Sequence, residues 1–319
     1  LALREGLSDP RIAKKVSSLP VQPRRTGMPK QKSKAKAKPK AKQKPQTYIP
    51  HMNFAGKDGN VNEKEWLKML IETGQHVLLE GPTGCGKSML VGETLEELGL
   101  DPVVMVGDKN LDTDIAVNVA VGKDGTEYFD GLLTKAMREG RPFVIEEINK
   151  LNPTQCSYLL SAMSEGEITI PFTGEVVKAK PGFRVIATMN YGYVGTMPLA
   201  DALRARFVAM RLDYLPPDME KERLVKRGVP PDVADTVVRI AGELRQRAEE
   251  KGLPGIATSR GLTFFAKIYT KCMERFGKVN NTMLRHIIAS SLSRTGTLDP
   301  AIEKSLLEGC VDLFLKGGV

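Results

Sequence analysis

An eight-residue stretch beginning at residue 81 carries the residue types of a phosphate-binding loop. The pattern Gly-x-x-x-x-Gly-Lys-[Ser/Thr] is matched by Gly81-Pro82-Thr83-Gly84-Cys85-Gly86-Lys87-Ser88. Glycines there let backbone N–H groups turn toward phosphate oxygens, and a helix that starts at the loop adds the positive end of its dipole. We therefore expect residues 81–89, including Met89, to bind nucleotide phosphates. In this interpretation Lys87 reaches the β- and γ-phosphates and Ser88 is a Mg²⁺ ligand.

Two acidic residues follow an apolar run farther along the chain, where residues 143–145 end in Glu146 and Glu147. In phosphate-loop NTPases, a strand ends at this place in one acid that orients the metal shell and another that polarises the attacking water. We predict Glu146 as a metal ligand and Glu147 as the catalytic base. Asn190 ends the next apolar run and is predicted to hold the attacking water together with Glu147.

Alternating apolar runs and helical segments indicate how the chain positions these groups. Five short runs predict strands at 76–80, 102–106, 142–145, 183–187 and 207–212. An amphipathic helix is predicted at 62–73, another after the phosphate loop to residue 98, and a hairpin at 167–177. After residue 217 the strands stop, and helices are predicted at 218–227, 231–251, 258–276, 281–293 and 300–315.

This order predicts an α/β fold of the phosphate-loop NTPase type. Strands that alternate with helices favour a parallel sheet with helices on both faces. The predicted division is a nucleotide-binding domain over residues 47–215, followed by an all-helical lid domain over residues 216–319.

A basic tail precedes the predicted domains. Residues 1–46 hold 14 Lys and Arg against two acidic residues, whereas the remainder holds 33 basic and 36 acidic residues and has a net charge of −3. From Lys30 to Lys44 every second residue is lysine, a pattern typical of a disordered segment. Two interpretations stay open for residues 30–44: a flexible solubilising tail, or a nonspecific phosphate-binding arm for DNA or RNA.

Cysteine and hydropathy patterns narrow the classes of protein. The four cysteines form no Cys-x-x-Cys pair, and the three histidines offer no zinc pattern. No apolar run approaches 18 residues, the length typical of a membrane-spanning helix, and no signal peptide is visible. We therefore expect a cytoplasmic protein in a reducing compartment, without disulfides and without a membrane span.

The motif order resembles the AAA+ ATPases, and more specifically their MoxR-like and dynein/midasin-related branch, which includes the ATPase subunit of aerobic cobaltochelatase. Besides the phosphate loop, the segments that carry the resemblance are 128–133, 136–140, 146–150, 183–190, 193–196 and 199–207. The chain departs from the family pattern at Glu146, where Asp is usual, and at Cys85 within the loop.

The resemblance implies hydrolysis of ATP with Mg²⁺ in a ring, most often a hexamer, whose sites lie between subunits. Arg206, before Phe207, matches the arginine finger, and Arg204 is a second candidate. Arg260 matches the family's second sensor, an Arg that reaches the γ-phosphate from the lid. The hairpin at 167–177 and an insertion at 112–127, with a turn at 122–125, match segments that face the pore or a partner.

The use of ATP hydrolysis stays open among three functions. The first is a remodelling ATPase that inserts a metal or activates a partner protein, which in this family often carries a von Willebrand factor A domain. The second is a nucleic-acid motor or a restriction-type NTPase, which the lysine tail favours. The third is a nonhydrolysing nucleotide-gated scaffold, which the presence of Glu147, Asn190 and Arg206 disfavours.

Overall fold

The computed structural model describes residues 47–54, 61–108, 115–122, 125–171, 173–190, 199–251, 255–293 and 300–315. The predictions that concern the basic tail at 1–46 and the segment 193–196 lie outside these residues. Part of the predicted insertion at 112–127 and the middle of its turn also lie outside them.

Nine strands are described, and all five predicted strands are confirmed. They are β1 Val77–Gly81, β2 Val103–Val106, β3 Val117–Gly122, β4 Gly125–Asp130, β5 Pro142–Glu146, β6 Glu167–Thr169, β7 Val176–Lys178, β8 Arg184–Asn190 and β9 Val208–Arg211. The five predicted strands form one sheet in the order β2-β5-β8-β1-β9. Every pair in this sheet is parallel, so the carboxyl ends of its strands share one edge.

The predicted helices are confirmed with small shifts at their ends. The α-helices of the described residues are α1 Glu63–Glu72, α2 Lys87–Glu97, α3 Leu132–Glu139, α4 Pro153–Ser164, α5 Asp201–Arg204, α6 Pro217–Val225, α7 Pro231–Glu250, α8 Ser259–Phe276, α9 Asn281–Leu292 and α10 Pro300–Leu315. The Asn62 side chain caps α1 by accepting from the backbone N–H groups of Lys64 and Glu65, which fixes where that helix begins.

Helices cover both faces of the sheet, as the sequence predicts. On one face, Leu67 and Ile71 of α1 and Leu90 of α2 pack in one cluster with the strands. On the other face, residues of α3, α4 and α5 pack against the sheet, including Leu133, Leu159 and Leu203. The sheet is therefore buried on both sides, as parallel sheets require.

Two hairpins stand beside the sheet. Strands β6 and β7 pair antiparallel and confirm the hairpin predicted at 167–177. Strands β3 and β4 form a second antiparallel hairpin. The sequence predicts only a turn in this region, because its short mixed pattern carries no clear strand period. This hairpin packs on the rest of the domain through Val117 at its base.

The five C-terminal helices build a separate core. Buried side chains of α6 to α10, among them Leu224, Phe265 and Ile288, pack in one cluster. Within the described residues, no helix is both long and apolar enough to cross a bilayer. All four cysteines fall in the described part of the chain, and each is a free thiol.

Candidate functional site

The loop between β1 and α2 has the form of an anion cradle. Gly86 precedes α2 with φ +109°, a left-handed conformation that favours glycine, and a Cβ there would lie 3.0 Å from the Tyr48 ring. In the described chain no side chain caps α2. The N–H groups of its first turn, in residues 87–89, are therefore open to a phosphate.

Lys87 lies inside this loop rather than in solvent. Its side chain is 7% exposed, and Nζ donates to the carbonyl oxygens of Gly81 and Pro82, each at 2.8 Å. Burial lowers the pKa of the Lys87 amine and raises the pKa of the Cys85 thiol, whose Sγ lies 3.8 Å from Nζ. Ser88 is exposed in the first turn of α2, where its hydroxyl is accessible to a metal ion.

The structure brings Glu147 and Asn190 together beside this loop. The Asn190 amide donates from Nδ2 to Glu147 Oε1 at 3.3 Å. The backbone N–H of Glu147 donates to Thr188 Oγ1 at 3.3 Å. Asn190 stands opposite Gly81 in the register between β8 and β1. Glu147 and Asn190 thus lie at the sheet edge where the phosphate loop begins. Glu146, at the end of β5, is half-buried at the same edge.

A lysine that sequence reasoning missed holds the other oxygen of Glu147. Lys150 Nζ forms an ion pair with Glu147 Oε2. Asn149 Nδ2 donates to the Asn190 carbonyl oxygen at 3.3 Å, which ties the same turn to β8. The i,i+3 spacing of Glu147 and Lys150 was a signal for the ion pair, but its place at the predicted base depends on the turn that follows β5.

The C-terminal helical region, which the sequence predicts to be the lid, brings Arg260 against the phosphate loop. A Cβ added to Gly84 would lie 3.1 Å from Thr258 Cβ and 3.5 Å from Arg260 Cβ. Thr258 caps α8 by accepting from the N–H of Gly261 at 3.0 Å. Arg260 itself is exposed. The start of α8 therefore packs on the loop, with Arg260 Cβ beside Gly84.

A chain of contacts joins the loop to the lid through residues that the sequence did not indicate. Tyr214 donates from its hydroxyl to the Thr83 carbonyl oxygen at 3.1 Å, and the Arg245 guanidinium lies 4.0 Å from the Tyr214 ring centroid. Arg245 makes two 2.9 Å hydrogen bonds to the buried carboxylate of Glu220. Ser259, next to Arg260, also donates to Glu220 at 3.0 Å.

The two candidate finger residues have different surroundings. Arg206 is exposed, and it donates to the Ala202 carbonyl oxygen at 2.6 Å and to Ser164 Oγ. Arg204 pairs instead with Glu80 of its own chain, with Nη2 2.6 Å from Oε1. The Arg206 side chain thus lies at the surface, whereas the Arg204 side chain is paired with Glu80 of β1.

Comparisons with known proteins show a family and a shared fold. The model of the AAA domain, dynein-related subfamily, matches residues 76–207. An uncharacterized protein of Staphylococcus aureus is 36% identical over 193 residues, which cover 57% of this chain and 73% of that relative. Another from the same species is 41% identical over 162 residues, covering 48% and 61%. A Thermotoga maritima RuvB variant superposes with a TM-score of 0.52 and 19% identity, over 81% of this chain and 77% of RuvB, which shows a shared fold.

Proposed function

We propose that this chain, which belongs to the dynein-related subfamily of AAA domains, hydrolyses ATP in a ring and uses the cycle to remodel a partner protein. The observation that carries the proposal is the contact between Glu147 and Asn190 at 3.3 Å, at the sheet edge where the phosphate loop begins. A nonhydrolysing scaffold has no need of a carboxylate and an amide held together at this place.

The loop residues fit Mg²⁺–ATP. The uncapped start of α2 offers N–H donors, and Lys87 supplies a positive charge within the loop. The exposed Ser88 hydroxyl and the Glu146 carboxylate are oxygen ligands of the kind that Mg²⁺ prefers. When bound, Mg²⁺ would neutralise phosphate charge. Lys87 must exchange its two carbonyl partners for phosphate oxygens as the nucleotide enters.

Water activation is assigned to Glu147. Its carboxylate would accept a proton from the attacking water, while the Asn190 amide holds Oε1 in a fixed position. General-base catalysis of this kind contributes about 10²–10⁴-fold in rate. Arg260 would contact the γ-phosphate from the lid, supported by its place over Gly84.

A further positive charge at the reacting phosphate would come from an arginine of a neighbouring subunit. Arg206 lies at the surface in the turn after α5, where it donates to Ala202 and Ser164. A second copy in a ring, most often a hexamer in AAA proteins of this branch, would present this Arg206 to the first copy's site. An arginine finger contributes about 10³–10⁵-fold in rate.

A polypeptide is the partner that the β3–β4 hairpin favours. Val119 and Val121 lie on one face of β3 and are 48% and 83% exposed. Exposed valines suit an apolar polypeptide better than a phosphate backbone, which favours the MoxR-like use, with a partner that could carry a von Willebrand factor A domain. A nucleic-acid role through residues 30–44 is the alternative, and it rests on the sequence of the tail.

The domain division and the compartment are part of the same proposal. The separate core of α6 to α10 supports a boundary near residue 216 between the nucleotide-binding domain and the lid. Four free thiols support a reducing compartment such as the cytoplasm.

Subunit mixing tests the shared site. Lys87→Ala should lose nucleotide binding but keep its finger, and Arg206→Ala should keep binding but lack a finger. Each variant alone should be inactive, whereas mixed rings should recover phosphate release. Native mass spectrometry would confirm that mixed rings form. Inactive mixed rings would refute a site shared between subunits.

A crosslinking experiment tests the class of partner. A photocrosslinker at Val121 should capture fluorescently labelled unfolded casein in the presence of ATP and should not capture labelled duplex DNA. A crosslinker at exposed Glu165, outside the hairpin, is the matched control. Capture of DNA at Val121 would favour the nucleic-acid alternative.

A further inference from the structure

Glu80 is a buried acid that the proposed mechanism does not use, and it pairs with Arg204, two residues before the proposed finger. We propose that Glu80 and Arg204 are positioning residues that fix the finger Arg206 relative to β1 of the same subunit. This inference rests on the proposed function, because it assigns Arg206 a role in the neighbouring site. It makes Arg204 an anchor within its own chain and leaves Arg206 as the finger.

Glu80 is fully buried, which is unusual for a glutamate side chain. It is 0% exposed and lies near the end of β1, opposite Met189 of β8 and Arg211 of β9. Side chains alternate along a strand, so Glu80 faces the same side of the sheet as Leu78. Leu78 packs in the core cluster that also contains Leu203 of α5. The carboxylate is therefore directed toward α5, the helix that precedes the proposed finger.

Glu80 and Arg204 form an ion pair that compensates a buried charge. Arg204 Nη2 lies 2.6 Å from Glu80 Oε1, and Arg211 Nε is farther, 3.8 Å from Oε2. Within the described residues neither oxygen receives a hydrogen bond of good geometry. A buried carboxylate without a counter-charge is strongly unfavourable. Moving the end of α5 away from β1 would leave this charge with only the more distant Arg211 as a partner, so the pair favours keeping the two elements together.

The turn after α5 transmits this anchoring to Arg206. The N–H of Phe207 donates to the Arg204 carbonyl oxygen at 3.1 Å, and the N–H of Arg206 donates to Leu203 at 3.2 Å. Arg206 thus follows its anchor through a hydrogen-bonded turn. Since Glu80 directly precedes Gly81, the strand that anchors the finger is also the strand that carries the phosphate loop.

The mixed ring gives a test that separates this role from a role in nucleotide binding. The finger donor carries Lys87→Ala, and the acceptor carries Arg206→Ala. Glu80→Gln is added to the donor in one experiment and to the acceptor in the other. We expect mixed-ring phosphate release to fall about tenfold or more in the donor experiment, a part of the finger's contribution. In the acceptor experiment release should stay within about twofold, since that subunit supplies no finger.

A matched control uses a Glu–Arg pair in the C-terminal helices. Glu243 pairs with Arg247 within α7. Glu243→Gln in the donor removes a paired carboxylate that contacts neither β1 nor α5 among its described partners, so the mixed ring should keep its rate. If Glu80→Gln prevents ring assembly, Arg204→Lys and Arg204→Met in the donor replace it. The lysine variant keeps the charge and should retain clearly more activity than the methionine variant.

Each outcome decides the inference. Equal losses of phosphate release in the donor and acceptor experiments would show that Glu80 acts on the phosphate loop of its own subunit. That result would overturn the positioning role. An unchanged rate in the donor experiment, or equal rates for Arg204→Lys and Arg204→Met, would overturn it as well. Parent mixed rings that are inactive before any Glu80 change would refute the shared site itself, and the positioning role with it.

Discussion

The Asn190 amide donates to Glu147 Oε1 at 3.3 Å, across the ends of two neighbouring parallel strands. These residues are 43 positions apart in the chain, and the pairing of β5 with β8 brings them together. The contact fixes one carboxylate oxygen of the proposed base. Lys150 pairs with the other oxygen, so both oxygens of Glu147 have partners within the chain.

Separate roles for Lys87 and Glu147 predict different losses. Lys87→Ala should abolish nucleotide binding, because the loop then lacks its buried positive charge. Glu147→Gln should keep ATP affinity within about threefold and lower turnover about 10²–10⁴-fold. Fluorescent-nucleotide titration and phosphate release measure the two quantities. Wild-type turnover in Glu147→Gln would refute the assignment of the base.

The ion pair with Lys150 predicts a restrained base. Lys150→Met frees Glu147 Oε2 to accept a hydrogen bond from water, so basal turnover should rise by up to about fivefold, the range of an ion pair near the surface. Lys226→Met breaks the exposed pair with Glu222 and serves as the matched control. A fall in turnover would show instead that Lys150 assists the reaction.

The contacts of Tyr214 predict an effect on nucleotide affinity. Tyr214→Phe removes the hydrogen bond to the Thr83 carbonyl oxygen but keeps the ring under Arg245. Loss of about 1 kcal/mol should weaken ATP binding about fivefold. Isothermal titration calorimetry gives the dissociation constant. Tyr269→Phe, in the lid core, should leave it unchanged, and equal effects of the two variants would contradict a specific role for Tyr214.

The ion pair between His51 and Glu63 predicts a pH range in which the folded chain is most stable. Burial would raise the pKa of Glu63, but hydrogen bonds from His51 and backbone N–H groups lower it from 4.5 to about 2. Burial likewise opposes the charge on His51, but the hydrogen bond with Glu63 and contacts with backbone carbonyl oxygens raise its pKa above 6.5. Tyr48 also donates to Glu63, at 2.8 Å.

The signs of these shifts set the window. The contribution of Glu63 to the free energy of unfolding is present above pH 4.5 and is lost as the pH falls toward 2. The contribution of His51 to the same free energy is present below pH 6.5 and is lost as the pH rises through the higher pKa that His51 has in the folded state. Denaturant midpoints across pH should therefore be highest between these limits, and Glu63→Gln should flatten both flanks. Glu65→Gln, on the exposed side of α1, should preserve the profile.

The lysine tail predicts salt-dependent binding if it contacts nucleic acid. A tail that uses most of its eight alternating lysines should give a log–log slope of roughly −5 to −7 with duplex DNA. Deletion of residues 1–46 should remove this binding, because the remainder has a net charge of −3. Fluorescence anisotropy across a salt series measures it. Equal binding by the truncated chain would leave the tail without a nucleic-acid role.

Short-range sequence patterns predicted the parts of the fold that depend on residues close together in the chain. Apolar runs gave the five strands of the sheet, and the loop motif indicated where α2 begins. The pairing of Glu147 with Asn190 could be predicted because parallel strands end at one edge. The pairs Glu80–Arg204 and Glu220–Arg245 could not, because each joins residues distant in sequence whose meeting depends on how helices pack. The ring of Tyr48 against Gly86 is another contact of this kind.

Glu147 adopts a left-handed backbone conformation, with φ +57° and ψ +50°. For a residue with a side chain this costs roughly 1–2 kcal/mol, which glycine would avoid. A library selected for heat resistance alone should therefore enrich glycine at position 147, and the enriched chains would have no base. A strained backbone position is thus the one where the chemistry is proposed, so at this residue selection for thermal stability and selection for turnover would favour different side chains.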